Sequence, residues 1–238
     1  EPLLWLGLGS NLLVRDGGFD GTVIALSGRL KQITITDHQI QVGSGAACAK
    51  VARQAARAGL SGAGFLAGIS GTMGGALAMN AGACGGETWD LVQHVEVVDR
   101  SGRLSQCDPA QYQVSYRQVL RPVEHWFVGC CLALQPGDVD VEQQHIRGLL
   151  ARRAESQPSG QASGGSTFRN PPGDYAARLI EASGLKGYQL GGAQVSPKHA
   201  NFIINTGQAS AADIEQLIAY LQRCVEQQHG VRLQTEVV

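Results

Sequence analysis

The sequence predicts an α+β fold in two parts, and three observations carry that expectation. Short strand-like runs fill most of the first half and do not alternate regularly with helices, as a parallel α/β sheet requires. Most of the helical pattern falls after residue 138. A chain of 238 residues with 43% hydrophobic residues has enough apolar material for one large domain or two modest ones.

Taken in order, Leu3-Leu4-Trp5-Leu6 reads as a buried strand, followed by a turn at Gly7-Leu8-Gly9-Ser10-Asn11. Residues 12–14 suggest another short strand, and Asp16-Gly17-Gly18 is turn chemistry. Strands are expected at 22–26 and 32–36, and at 39–42 after a turn at Asp37-His38. Residues 48–58 place Val51, Ala52, Ala55 and Ala56 on one helical face, and Gly59 ends the helix. A glycine-rich tract over 62–86 follows. Strands return at 92–98 and at Leu104, residues 110–116 lead into a charged turn, and 126–134 is a strongly apolar strand.

A change of composition at Pro136-Gly137-Asp138 reads as a linker between domains at 1–136 and 137–238. Beyond it, helices are expected at 141–154, at 175–183 before Gly184, and at 211–228. The last has Ile214, Leu217, Ile218, Leu221 and Val225 as its apolar stripe, with Asp213 suited to the helix dipole. Residues 157–170 read as loop, 202–205 and 231–238 as strands.

A net charge of −1 gives no basic surface, so nucleic acid and anionic membranes are poor partners. No run of about 18 apolar residues suggests a membrane span, and no signal peptide is visible. Six cysteines without C-x-x-C spacing read as reduced thiols of a cytosolic protein, and no metal site is expected. The chain begins with Glu1 two residues before a strand, so it is expected to start inside a longer protein.

Three segments carry chemistry. In Gly7–Val14, consecutive backbone N–H groups in a turn can form an anion-binding concavity, although Leu12 stands where a Rossmann motif needs its third glycine. In residues 68–83, Gly68, Gly71, Gly74, Gly75 and Gly82 make a helix costly, about 0.5–1 kcal/mol per glycine. A backbone wrapped closely around a large flat or phosphorylated ligand is the expectation there. In residues 163–173, Ser166 lies between glycines and Pro171-Pro172, which suits a hydroxyl held as a hydrogen-bond donor or acid.

These segments, with Tyr116-Arg117 and Lys198-His199-Ala200-Asn201-Phe202, resemble the UDP-N-acetylenolpyruvoylglucosamine reductase family (MurB). The matched text includes Gly9-Ser10-Asn11-Leu12-Leu13-Val14, Gly71-Thr72-Met73-Gly74-Gly75, Asn80-Ala81-Gly82-Ala83 and Gly165-Ser166-Thr167-Phe168-Arg169-Asn170-Pro171, in register over almost the whole chain. The short 166–170 loop followed by Gly184-Leu185-Lys186-Gly187 resembles the family's shorter, second-type branch. Ser70 stands where the family has proline, Leu8 interrupts its first glycine run, and Val119 replaces a serine. The family also has a further segment before the first loop and continues its strand beyond Glu236, so the chain reads as truncated at both ends.

The resemblance implies a vanillyl-alcohol-oxidase/PCMH-type FAD-binding domain, here partial, followed by a smaller α+β substrate domain. It implies non-covalent FAD, held by Gly7, Gly9, Ser10, Asn11 and Leu12 and by Gly68, Ile69, Gly71, Thr72, Gly74, Gly75, Asn80, Ala81 and Gly82. It implies NADPH as hydride donor and UDP-N-acetylglucosamine enolpyruvate as substrate, reduced to UDP-N-acetylmuramate for peptidoglycan synthesis by a cytoplasmic monomer. By the same resemblance, Ser166 matches the proton-donating serine, Arg117 the arginine that pairs with the substrate carboxylate, and Glu236 the assisting C-terminal glutamate. Tyr116, Asn170, Lys198 and His199 sit in matched segments that would contact substrate or nucleotide. Another flavin oxidoreductase of the same superfamily, or a truncated non-catalytic FAD- or nucleotide-binding module, are the competing expectations.

Overall fold

The computed structural model describes residues 1–238, in two compact units: Glu1–Leu8 with Gly21–Arg152, and Gly9–Asp20 with Arg153–Val238. The first unit runs through β1 (Leu3–Leu6), β2 (Thr22–Ala25), β3 (Ile33–Thr36), β4 (Gln39–Gly43), α1 (Cys48–Arg57), β5 (Leu60–Ser61) and α2 (Met73–Met79). It continues through β6 (Gly82–Ala83), β7 (Gly86–Glu87), β8 (Val92–Asp99), β9 (Leu104–Cys107), β10 (Gln113–Ser115), β11 (Gln118–Leu120), β12 (His125–Ala133) and β13 (Gln135–Pro136). Helix α3 (Val139–Ser156) begins in this unit and ends in the second.

Its centre is a five-stranded antiparallel sheet in the order β3-β4-β12-β8-β9. Cys130, Cys131 and Leu132 of β12 are buried in succession, so both faces of this central strand are covered, which explains its nearly continuous apolar sequence. The small face of α1 is buried in the same core, with Leu66, Met73 and Leu77. Strands β1 and β2 pair in parallel, and β6–β7 and β10–β11 are short hairpins.

The second unit contains α4 (Ala176–Ala182), β14 (Gln189–Leu190), β15 (Ala193–Val195), β16 (Ile203–Asn205) and α5 (Ala211–His229). The three strands form one antiparallel sheet. The expected stripe of α5 is the one that packs, with Leu217, Ile218, Leu221 and Val225 buried and Ile214 partly so. Burying each such side chain stabilises by about 1.5–3 kcal/mol. Ser210 and Asp213 form a capping box at the start of α5, and both carboxylate oxygens of Asp16 accept from Ala211 and Ala212 N–H, at 3.0 and 3.3 Å. That tethers the loop Gly9–Asp20 to this unit.

Four expectations need correction. The glycine tract does contain a helix, α2. The bare Cα of Gly74 lets the helix lie against Ser44 and Leu26, where a Cβ would come within 3.0 and 3.2 Å, and Met73 and Gly74 N–H bond to Ala46 and Ser44 carbonyls. This close packing offsets the cost of the glycines. Residues 12–14 form no strand, because their neighbour is a single chain end: Leu13 N–H bonds to Val238 O and Val238 N–H to Asn11 O. Residues 231–238 likewise form only one isolated bridge, Thr235 with Phe168. Pro136-Gly137-Asp138 does not part the units either: β13 pairs with β5, Gly137 N–H bonds to Gly59 O, and the division falls at Arg152/Arg153 inside α3.

Candidate active site

In the first unit, chemistry gathers around Arg117. It stands with Tyr116 in the two-residue turn of the β10–β11 hairpin and has φ 54°. This left-handed conformation costs a non-glycine residue roughly 1–2 kcal/mol. Strain of this kind at one bulky residue points to a functional constraint. The side chain is largely buried, with Nη1 donating to Asn80 O (3.1 Å) and Nη2 to Gly82 O (2.8 Å). Glu87 lies 3.7 Å from Nη1, and the guanidinium carbon sits 4.9 Å from the Tyr116 ring centroid.

Asn80 is the αL cap of α2, a conformation asparagine tolerates better than other side chains. Its Nδ2 donates to Glu87 Oε2 (2.8 Å) and Ser115 O (3.2 Å), and its Oδ1 accepts from Trp89 N–H (3.2 Å). Trp89 in turn donates its indole N–H to Leu77 O (2.8 Å) and packs on Tyr112 and Phe127. Beneath them the Tyr112 hydroxyl meets His125 Nε2 at 3.0 Å. Burial, and then the nearby Arg121 charge, lower the His125 pKa. Burial raises that of Tyr112.

In the second unit, a hydrogen-bonded ribbon joins the backbone of Thr167, next to Ser166, to that of Glu236. Ser166 follows Gly165, whose φ is 79°. Thr167 N–H donates to Asn201 O (2.8 Å), and the buried Asn201 amide grips Phe168 twice, Oδ1 accepting from its N–H (2.9 Å) and Nδ2 donating to its carbonyl (2.8 Å). On the other side, Glu236 N–H donates to Thr167 O and Arg169 N–H to Gln234 O, both at 2.9 Å. Asn11 Nδ2 then donates to Glu236 O at 2.9 Å. The first and third chemistry-bearing segments also share a cavity of about 210 Å³, lined by Gly9, Leu12, Leu13, Ser163, Gly164 and Thr167 among others. That volume suits the end of a ligand, since whole pockets for drug-sized molecules run to about 300–1,000 Å³.

Three residues expected at the substrate have structural work here. Asn170 Oδ1 accepts from Ala176 N–H (3.1 Å) at the start of α4. Lys198 Nζ donates to Ala154 O. His199 Nδ1 accepts from Asn201 N–H (3.3 Å), its ring meets Phe202 edge-on, and burial lowers its pKa. Tyr116 is exposed.

The residues expected to hold the cofactor divide by the reason for their smallness. Gly7 packs on Thr72, where a Cβ would come within 2.3 Å of Oγ1. Gly68 is buried at the end of a 3-10 turn whose carbonyl at Leu66 accepts from Ile69 N–H, and Gly71 O accepts from Cys48 N–H. Ala81 is core, and Gly82 is hemmed in by Gly86 O and Arg117. Gly9 has φ 67°, Leu12 N–H closes the turn onto its carbonyl, and Ser10 is half-buried beside them. Gly75 differs: it lies inside α2, is exposed, and a Cβ there would meet nothing within 4 Å. A glycine that weakens a helix by about 1 kcal/mol without a packing reason fits a backbone left bare for a large flat group. Asn201, Glu87, Trp89 and Asp16 were missed from sequence. Their partners are remote in the chain or are main-chain atoms, and only the Lys198–Phe202 motif hinted at one of them.

Residues 157–238 match the family model for the UDP-N-acetylenolpyruvoylglucosamine reductase C-terminal domain, and residues 1–108 the model for an FAD binding domain. UDP-N-acetylenolpyruvoylglucosamine reductase from Alkalilimnicola ehrlichii is 55% identical over 237 residues, and that from Nitrosococcus oceani 57% over 238; each alignment takes in 100% of this chain and 80% of the relative. The crystal structure of UDP-N-acetylenolpyruvylglucosamine reductase (MurB) from Thermus caldophilus superposes with a TM-score of 0.88 at 36% identity, covering 100% of this chain and 85% of that one. The chain belongs to the UDP-N-acetylenolpyruvoylglucosamine reductase family.

Proposed function

We propose that this protein reduces UDP-N-acetylglucosamine enolpyruvate to UDP-N-acetylmuramate, with Arg117, Ser166 and Glu236 as its catalytic groups. FAD, bound non-covalently, would supply the hydride chemistry at the enolpyruvyl group, with NADPH as the hydride donor. The observation that carries the assignment is the strained, doubly anchored guanidinium of Arg117.

Two main-chain carbonyls fix the plane of that guanidinium before any substrate arrives. A fixed fork suits the two oxygens of a carboxylate. It also stabilises the negative charge that develops on the carboxylate and its neighbouring carbon as the double bond is reduced. Ser166 gives its hydroxyl proton to that carbon. The ribbon through Thr167 sets the backbone at Ser166 relative to that at Glu236, whose carboxyl assists at the substrate carboxylate or through a water. The Gly9–Leu12 turn and the bare face of α2 at Gly75 would hold the cofactor. Tyr116, Asn170, Lys198 and His199 are the further residues read as contacts to the substrate or its nucleotide.

The protein acts as a cytoplasmic monomer in this reading, on a small nucleotide sugar and without nucleic acid. No helix is long and apolar enough to cross a membrane. The test is NADPH consumption by the yellow protein with the enolpyruvyl nucleotide sugar, set against simple alcohols and lactones. Consumption with the nucleotide sugar alone is expected; turnover of an alcohol or lactone in its place overturns the assignment.

A further inference from the structure

We propose that Asn80 is the positioning residue for Arg117 and makes no contact with the cofactor; this rests on the reading of Arg117 above and deepens it. A side-chain amide has two N–H groups and one oxygen. In Asn80 both donor bonds go to Glu87 and Ser115 O, the oxygen accepts from Trp89, and the residue is 2% exposed. Every polar group of the side chain is engaged within the protein.

Those bonds converge on Arg117 from three directions. The main-chain carbonyl of Asn80 takes Nη1 directly. The amide holds Ser115 O, at the root of the turn that carries Arg117. It also holds Glu87, whose carboxylate lies 3.7 Å from Nη1. The αL conformation of Asn80 ends α2 and starts the short stretch whose carbonyls, Asn80 O and Gly82 O, meet the fork. Trp89, wedged among Tyr112 and Phe127, anchors the assembly from the core side. Without the amide, both the hairpin root and the counter-charge lose their hold, and misplacing a catalytic group by about 1 Å can cost up to about 10²-fold in rate.

Asn80→Gly tests this, because glycine keeps the left-handed backbone and removes only the side chain. FAD content and bleaching of the flavin by NADPH should match the parent, and turnover of the enolpyruvyl sugar should fall about 10- to 100-fold. In nitrogen NMR of the guanidinium groups, the slow rotation expected of the anchored Arg117 should become fast. Asn80→Gly combined with Arg117→Ala should be no slower than Arg117→Ala alone, since one residue acts through the other. Asn80→Asp, which keeps the acceptor for Trp89 but sets a second carboxylate beside Glu87, should give the same freed guanidinium and serves if Asn80→Gly does not fold. Unchanged Arg117 rotation in either variant, loss of FAD, or losses that multiply in the double variant overturn the proposal. Should Arg117→Ala alone leave turnover intact, it is the role of Arg117 that fails, and the rotation measurement still decides whether Asn80 positions it.

Discussion

Two regions, the surroundings of Arg117 in the first unit and those of Ser166 in the second, are built by different means. Around Arg117, in the first unit, position comes from side chains and strain: an αL arginine, an αL asparagine, a glycine with no room for a Cβ, and an aromatic box beneath. Around Ser166, in the second unit, main-chain bonds run from its neighbour Thr167 to Asn201 and Glu236, and from Arg169 to Gln234, beside the Asn201 amide on Phe168. Main-chain bonds survive a change of side chain, whereas a side-chain bracket does not. The Ser166 region should therefore tolerate substitutions of the functional group with its geometry intact, and the Arg117 region should lose geometry and function together.

The largest expected effect sharpens this contrast. Ser166→Ala should lower product formation by about 10²- to 10⁴-fold, the range of a positioned proton donor, with melting temperature and UDP affinity close to the parent. A collapse of stability instead would place Ser166 among the structural groups. Arg117→Ala should reduce turnover by about 10²- to 10³-fold, as loss of a charge-stabilising donor does, and weaken UDP binding far less. Arg117→Lys should restore little, because one ammonium cannot reach both carbonyls and a carboxylate in one plane. Equal losses in turnover and UDP binding would make Arg117 a nucleotide grip.

Smaller effects probe the packing. Gly82→Ala sets a Cβ 2.5 Å from Gly86 O and 3.1 Å from Arg117 Nη1, so it should destabilise by about 1–3 kcal/mol in denaturant unfolding and slow turnover together. An active, stable Gly82→Ala protein contradicts the bracket. Each region also holds a histidine whose pKa desolvation lowers, His125 buried and His199 half-buried. The unfolded chain then takes up protons first as pH falls through about 6.5. Stability from these groups is complete above that value, declines as pH falls toward the folded pKa, and levels off below it. Unfolding midpoints should drop between pH 7.5 and 5, and His125→Gln, which leaves Tyr112 a partner, should flatten part of the drop. The smallest effect concerns strain: Arg117→Gly should be more stable than Arg117→Ala by about 1 kcal/mol, and the reverse order would argue against strain in that turn.

The same contrast explains what was legible in the sequence. The strands at 33–36 and 39–43, α1 and α5 were readable because burial of one face leaves a period in the chain. The proposed roles of Ser166, Arg117 and Glu236 rest on the likeness to a known family and on no period in the chain. The helix within the glycine tract was not readable, because the packing of Gly74 on Ser44 and Leu26 reverses what its helix propensity says. Nor was the terminal segment 231–238, whose alternating residues meet a loop at Phe168 and not a sheet. Asn80 read as a cofactor residue from its motif, whereas its amide is spent on Glu87, Ser115 and Trp89, partners that only the folded chain brings within reach.

The central claim, that Ser166 serves proton transfer to the enolpyruvyl carbon and nothing earlier, is tested most directly by rapid mixing of Ser166→Ala in two stages. NADPH should bleach the flavin at the parent rate, and the enolpyruvyl sugar, added next, should fail to return the colour. Return of the colour at the parent rate would contradict the account.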